Sequence, residues 1–302
     1  MQPSYLIPPS DIELETGFSK DLLRKWRQRF RFPLPETGAS GKTGYPRDTV
    51  GQLLSIKRLL EGGFRAAQVV GKTPLELDRL HRALAARAPE PRMNASIRKL
   101  ILRLKQTDVA GLDALLDKAR AMGTLTEFVL NTLVPLVKEV GDAWSRKEIE
   151  IYHEHLCTSI VERRLHAEVL SSKSKRGYPR ILFAAPPEET HMLGALMTES
   201  VLADQGAHTV SMGAHAPFND LKMAVASCKA EVLALSFSFA YPARRVKPTL
   251  VHLRRLLPRK VEIWAGGAGV AGVKRPPRGV RIFLDIPESV NALLDLARRK
   301  RR

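Results

Sequence analysis

Cysteine is scarce in this sequence: two residues, Cys157 and Cys228, among 302. That excludes a disulfide scaffold and any multi-cysteine zinc or iron–sulfur site. Nor is there an uninterrupted apolar stretch near the ~20 residues that span a bilayer, so no membrane partner is expected. The opening segment, MQPSYLIPPSDIELETG, has neither the basic start nor the apolar core of a secretory signal. The expectation is a reduced, cytoplasmic protein. Low-complexity sequence is confined to the basic tail Arg298–Arg302. No nucleophile–base–carboxylate constellation points to hydrolysis, and no catalytic residue is assigned. His153 and Cys157 stand four apart on one helix face, a spacing common by chance. The remaining deficit is of acid. Lys and Arg number 49 against 31 Asp and Glu, a formal charge of +18. Such an excess favours a polyanionic partner, with nucleic acid ahead of a membrane surface.

What is present is ordinary globular material, 44% apolar and 26% charged. Composition divides it into three regions. Residues 1–80 carry short helical patterns broken by Gly/Pro clusters. After APEPRMN (88–94), residues 92–172 read as four amphipathic helices, an antiparallel bundle. The stripes are Ile97, Leu100, Ile101 and Leu104; then Leu112, Leu115, Leu116 and Ala119. Phe128 to Val137 follows, N-capped by Thr124 or Thr126, and Ile149 to Leu170 comes last. The polar, basic segment SSKSKRGYPR (171–180) reads as a linker. From 178 to 302 short apolar runs alternate with helical patterns. RILFAA, HTVSMG, EVLALSFS, VEIWAG and VRIFLD are strand-like, which implies a doubly wound α/β domain with a parallel sheet. Ligands in such sheets sit beyond the carboxyl ends of the strands. The fold class is therefore mixed, α followed by α/β.

In the first region DIELETG gives a short helix ending at Gly17. Ser19 then N-caps a second helix with Leu22, Leu23 and Trp26 on its buried side. Helix, glycine turn and helix match a helix-turn-helix. The second helix is crowded with Lys20, Arg24, Lys25, Arg27, Arg29 and Arg31. Lysine and arginine at a helix start suit phosphates, and arginine also reads guanine edges. A Gly/Pro-rich stretch with Lys42, Tyr45 and Arg47 follows and reads as a two-stranded wing, then a helix and a GGF turn. In this order the segments resemble the winged-helix domain of MerR-type transcription regulators over about residues 5–75. The resemblance implies double-stranded DNA as partner, with Ser19, Lys20, Arg24, Lys25, Arg27, Lys42, Tyr45 and Arg47 as contacts, and a dimer. Where many relatives have Arg-x-Tyr in the wing, this chain has Gly44-Tyr45-Pro46-Arg47.

The loop after the first strand of the third region reads Glu189-Thr190-His191-Met192-Leu193-Gly194. A carboxylate two residues before a histidine can hold one ring N–H and so present the other nitrogen to a metal. Gly194 gives room for a large ligand. Ser236 and Ser238 end the third strand, and Gly266 and Gly267 end the fourth, 45 residues from His191 to Ser236 and 28 from Ser238 to Gly266. A nucleotide-phosphate cradle at the glycines is a rival reading, without the G-x-G-x-x-G spacing after the first strand. The set resembles a cobalamin-binding domain with the pattern D-x-H-x-x-G, S-x-L/T and G-G; Glu189 stands at the Asp position and Ser238 at the Leu/Thr position. The resemblance implies a base-off cobalamin with His191 as lower cobalt ligand, its tail passing Ser236, Ser238, Gly266 and Gly267.

In the bundle, Trp144 is followed after nine residues by Glu154-His155. That spacing, with the order of the three regions, resembles the CarH/CarA group of cobalamin-dependent MerR-type photoreceptors. There the Trp packs over the upper face of the corrin and the Glu-His pair meets the upper ligand, roles that fall on Trp144, Glu154 and His155. The implied function is a repressor on the bacterial nucleoid, with adenosylcobalamin (or methylcobalamin) as cofactor. The implied assembly is a dimer that the cofactor gathers into a tetramer and light disperses. The light-sensing members carry a His after the Trp, which ligates cobalt after photolysis. Here that residue is Ser145, and His153 lies elsewhere on the helix; cofactor sensing with or without a light step fits this. Two other readings stand beside it: a corrinoid methyl carrier, which leaves the basic helix at 19–31 without purpose, and a MerR-type regulator with a vestigial sensor.

Overall fold

The computed structural model describes residues 6–38, 41, 43–87, 94–172 and 177–300. Lys42, residues 88–93 of the APEPRMN stretch and residues 173–176 of the expected linker lie outside them, as do the last two residues of the tail. The chain forms two compact units. Residues 1–98 with 138–154 make the first, and 99–137 with 155–302 the second. The helical middle region thus contributes to both.

The first unit opens with α1 (Pro9–Thr16), closed by Gly17 in the left-handed conformation, φ 71°, with its N–H on the Glu13 carbonyl. In α2 (Lys20–Phe30), the Ser19 hydroxyl accepts from Leu22 N at 3.3 Å, the N-cap that the sequence predicts. The wing is a hairpin of β1 (Glu36–Thr37) and β2 (Thr43–Gly44), tied to the chain start by Ile7 N to Tyr45 O and Tyr45 N to Ile7 O, each 2.8 Å. Then come α3 (Arg47–Glu61), α4 (Ala66–Val69) and α5 (Pro74–Arg87). The last runs past residue 80, where the sequence reading ended this region. Ile12, Leu23, Trp26, Leu53, Ile56, Leu59 and Val69 form the core. Each such side chain contributes on the order of 1.5–3 kcal/mol by leaving water.

The helices of the middle region are α6 (Ala95–Lys105), α7 (Val109–Ala121), α8 (Leu125–Phe128), α9 (Val134–Ser145) and α10 (Ile151–Ser171). Thr124 caps α8 in a reciprocal box with Glu127, each side chain bonding the other's backbone N–H, at 3.2 and 2.8 Å. The hydrogen bonds from Thr124 hold the Glu127 carboxyl below its ordinary range. Where the sequence predicts one helix through Val137, a π-helical turn, Val129–Leu133, separates α8 from α9. Pro135 has no N–H to give the carbonyl of residue 131, so the wider turn falls where an α-helical bond is missing in any case. Arg164 clamps α10 to α7 through Asp113 and Asp117, both at 2.6 Å, and Arg120 pairs with Glu168 at 2.6 Å.

The second unit's sheet holds β3 (Arg180–Ala184), β4 (His208–Ser211), β5 (Val232–Ser236), β6 (Glu262–Gly266) and β7 (Val280–Phe283). All neighbours are parallel, in the order β4-β3-β5-β6-β7. The five strand-like runs of the sequence are these five strands. On one face α12 (Phe218–Ser227) and α13 (Ala243–Leu256) cover Leu182, Leu233 and Ile263. On the other, α11 (Leu193–Asp204) and α14 (Ile286–Lys300) cover Ile181, Val232 and Trp264. The order reverses between β3 and β5, and the crevice beyond their carboxyl ends is where this topology binds ligands.

Candidate functional site

That crevice holds three of the residues the sequence singles out. Glu189 and His191 lie between β3 and α11, and Ser238 just after β5. The Glu189 side chain is 1% exposed, whereas that of His191 is 51% exposed. His191 Nδ1 lies 2.8 Å from Glu189 Oε1, and His191 N donates to the same oxygen at 2.9 Å. Ser238 N donates to Oε2 at 2.7 Å and its hydroxyl to Oε1 at 3.1 Å. Burial pushes the Glu189 carboxyl up, but the hydrogen bonds from His191 and Ser238 outweigh it and hold the group below the ordinary carboxylate range. A charged carboxylate on Nδ1 makes that nitrogen the donor, which leaves the ring's lone pair on Nε2. In that tautomer Nε2 is the nitrogen able to coordinate a metal, and Glu189, although one methylene longer than Asp, fixes the tautomer and ring orientation.

The glycines divide by cause. Gly267 has φ 96°, and a Cβ there would stand 2.4 Å from the Phe237 carbonyl oxygen. The protein's own backbone therefore demands glycine at 267. The Ser236 and Gly266 backbones are in register across β5 and β6, and Phe237 N donates to Gly266 O at 3.0 Å. Beyond its own helix backbone, a Cβ at Gly194 would meet no described atom within 4 Å. Packing does not require glycine there, so the space is open to a ligand. A buried carboxylate orienting an exposed imidazole, with uncrowded backbone beside it, fits a corrin bound through its cobalt.

Trp144, at the end of α9, is 3% exposed. The Arg58 guanidinium of α3 lies over its ring, 5.3 Å from the centroid, and the indole N–H has no hydrogen-bond partner among the described residues. Glu154 is half-buried in the first unit; His155, exposed, begins the second unit's share of α10. Ser145 is buried, its hydroxyl on the Gly141 carbonyl at 2.9 Å. His153 is buried too, its Nδ1 accepting from Glu150 N at 3.0 Å and its ring stacked on Tyr152 at 3.9 Å.

One histidine escaped the sequence reading because no motif surrounds it. His81 of α5, 4% exposed, has Nδ1 3.0 Å from the Ser145 carbonyl and Nε2 2.9 Å from the Ser55 hydroxyl. A carbonyl only accepts, so Nδ1 donates and Nε2 receives the serine proton. Burial, then the Lys147 charge, lowers the His81 pKa against the pull of those two bonds. The unfolded chain therefore takes up the proton first as pH falls. The stability His81 contributes is full above its ordinary value near 6.5 and is lost as pH drops through and below it. The thermal midpoint of the first unit is expected to fall between about pH 8 and about pH 5.5, and His81→Gln to flatten that part of the profile at a lower starting stability. An unchanged slope in the variant would assign the dependence to other groups.

In the helix-turn-helix, Ser19, Lys20, Arg24 and Lys25 are exposed and Arg27 half-buried. Lys20, Arg24 and Arg27 recur on one face of α2, while Leu23 and Trp26 face the core. Lys20 is 3.8 Å from Glu13, and Arg24 is 3.2 Å from Asp21. Both pairs are solvent-exposed, so they cost little to exchange for phosphate. Tyr45, expected at the nucleic-acid surface, is instead 7% exposed in the core, where it holds the wing. Arg47 opens α3.

Two family descriptions match the chain: "MerR HTH family regulatory protein" over residues 8–72, and "B12 binding domain" over residues 96–167. The chain couples a MerR-type head to a B12-binding domain. The second match covers the bundle, where Trp144, Glu154 and His155 lie. Two Myxococcus xanthus proteins are similar to this chain along most of its length. The HTH-type transcriptional repressor CarH is 26% identical over 83% of this chain and 85% of its own; the repressor CarA is 25% identical over 74% and 73%. Among solved structures, the Methanosarcina barkeri monomethylamine corrinoid protein superposes with a TM-score of 0.53 at 19% identity, over 65% of this chain and 96% of its own. That likeness is one of fold.

Proposed function

We propose that the chain is a transcriptional regulator, a repressor, whose grip on DNA is set by a cobalamin. The observation that carries this is the pairing of a MerR-type head with the Glu189–His191–Ser238 cluster at the sheet's reversal point. His191 Nε2 would hold the cobalt, with Glu189 fixing the ring. Ser236, Ser238, Gly266 and Gly267 would line the path of the nucleotide tail, and Trp144, Glu154 and His155 would meet the upper face. Adenosylcobalamin is the form we assign, with methylcobalamin the alternative. When bound, the cofactor supplies binding energy that differs between assembly states, and that difference shifts their populations. Dimers gathered into a tetramer present several heads to one duplex, which raises affinity without any new contact. The protein would act in the cytoplasm, on the nucleoid. No described helix is long and apolar enough to cross a membrane. A methyl carrier would have no use for the cationic face of α2.

The test uses the full chain, prepared in the dark with adenosylcobalamin and desalted, then added to its own upstream DNA. The expected result is a corrinoid spectrum that travels with the protein and a shifted DNA band. A corrinoid spectrum with no DNA binding at all would favour the methyl carrier. DNA binding with no corrinoid retained would leave a regulator without a sensor.

A further inference from the structure

The MerR-type head accounts for only part of the positive charge. The α/β region, residues 178–302, holds nineteen Lys and Arg against ten Asp and Glu. Between residues 243 and 261 there are seven basic residues and no acid. The cations are not spread evenly. Arg254, near the end of α13, donates to the carbonyls of Val261 at 2.6 Å and Leu257 at 3.0 Å, folding the 257–261 turn back under the helix. A Cβ at Gly279 would lie 3.2 Å from the same guanidinium, and Ile263 N bonds Gly279 O, so the 278–279 turn lies alongside. Arg299 reaches to within 3.9 Å of Glu262. Arg255, Arg259, Lys260, Arg278 and Arg299 therefore share the amino end of the sheet, all exposed.

Two carboxylates at this end are already engaged. Glu262 accepts from Trp264 Nε1 at 2.9 Å and faces Arg299, and Glu231 accepts from Arg180 N at 2.7 Å. Among the described residues, Arg255, Arg259, Lys260 and Arg278 have no ion-pair partner. Like charges gathered this way repel and destabilise the compact state unless a polyanion neutralises them. The strands are at most five residues long, so this pole lies about 17 Å along the sheet from the His191 crevice. It can be occupied without touching that crevice. Arginine dominates the set, and its planar fork pairs bidentately with phosphate.

We infer that the amino end of the α/β sheet is a second DNA surface, contacting the phosphate backbone without reading sequence. The inference rests on the DNA-binding reading of the head. Its test measures binding of the full chain to a 40-base-pair duplex of mixed sequence across a series of salt concentrations. Arg255→Gln, Arg259→Gln, Lys260→Gln and Arg278→Gln combined are expected to reduce the slope of log K against log[salt] by about three to four, near 0.9 for each phosphate no longer neutralised. Lysine at the three arginine positions keeps the charge and is expected to keep most of the slope, and circular dichroism checks that each variant is folded. An Arg24→Gln/Arg27→Gln variant tests the head separately on the upstream DNA. Wild-type slope and affinity in the quadruple variant would overturn the inference. Specific binding that survives loss of Arg24 and Arg27 would instead count against the head.

Discussion

His191→Ala is expected to abolish retention of corrinoid on desalting, while the protein remains folded. The substitution removes the imidazole that would hold the cobalt, and a half-exposed ring contributes little to the core. Glu189→Gln should be milder. An amide still fits the buried site, but it cannot take four donated bonds, and its NH2 would face the Ser238 N–H or the imidazole. Loss of such a supporting partner typically costs 10–100-fold in metal affinity. The order expected from a spectral titration is wild type, then Glu189→Gln, then His191→Ala. Glu189→Gln also carries a stability cost, because a charged partner is lost from a buried network. Equal retention by all three proteins would show that the corrinoid, if bound, is held elsewhere.

Trp26→Ala is expected to unfold the head. Trp26 is 5% exposed and meets Phe18 edge-on, with centroids 4.8 Å apart. Emptying a buried Trp site costs about 3–5 kcal/mol, a large share of a small domain's stability. Arg27→Ala on the same helix should leave the melting curve nearly unchanged and weaken DNA binding. The two variants separate fold from contact: circular dichroism and amide exchange should report the first, and a gel shift alone the second. A stable Trp26→Ala head that binds DNA normally would mean that α2 is not docked as described.

Much of this was legible in the residues, for reasons that differ by element. The strands of a two-faced parallel sheet are continuous apolar runs, so EVLALSFS and VEIWAG stand out without knowledge of their neighbours. Ser19 and Thr124 announce helix starts because a cap is a local interaction, complete within four residues. The π-helical turn at Val129–Leu133 was not legible, because apolar spacing barely distinguishes one wide turn within a helix. Tyr45 is not placed by its sequence, because an aromatic in a wing looks the same whether it faces DNA or the core; only the bridge to Ile7, 38 residues earlier, decides. His81 and Arg58 were invisible for another reason. Their partners, Ser145 and Trp144, are more than 60 residues away, and no local pattern encodes that meeting. In the crevice, spacing brought Glu189, His191 and Ser238 under suspicion. The 2.7 Å bond from Ser238 N to Glu189 needed the fold, since it joins loops 49 residues apart.

Cofactor and DNA meet in one measurement: the affinity of the full chain for its own upstream DNA, in the dark, with and without adenosylcobalamin, for wild type and His191→Ala. The cofactor is expected to change the wild-type affinity and to leave His191→Ala where it was, at the affinity of the cofactor-free protein. Wild-type affinity that is the same with and without the cofactor, in a protein that retains it, would overturn the coupling of cobalamin to DNA.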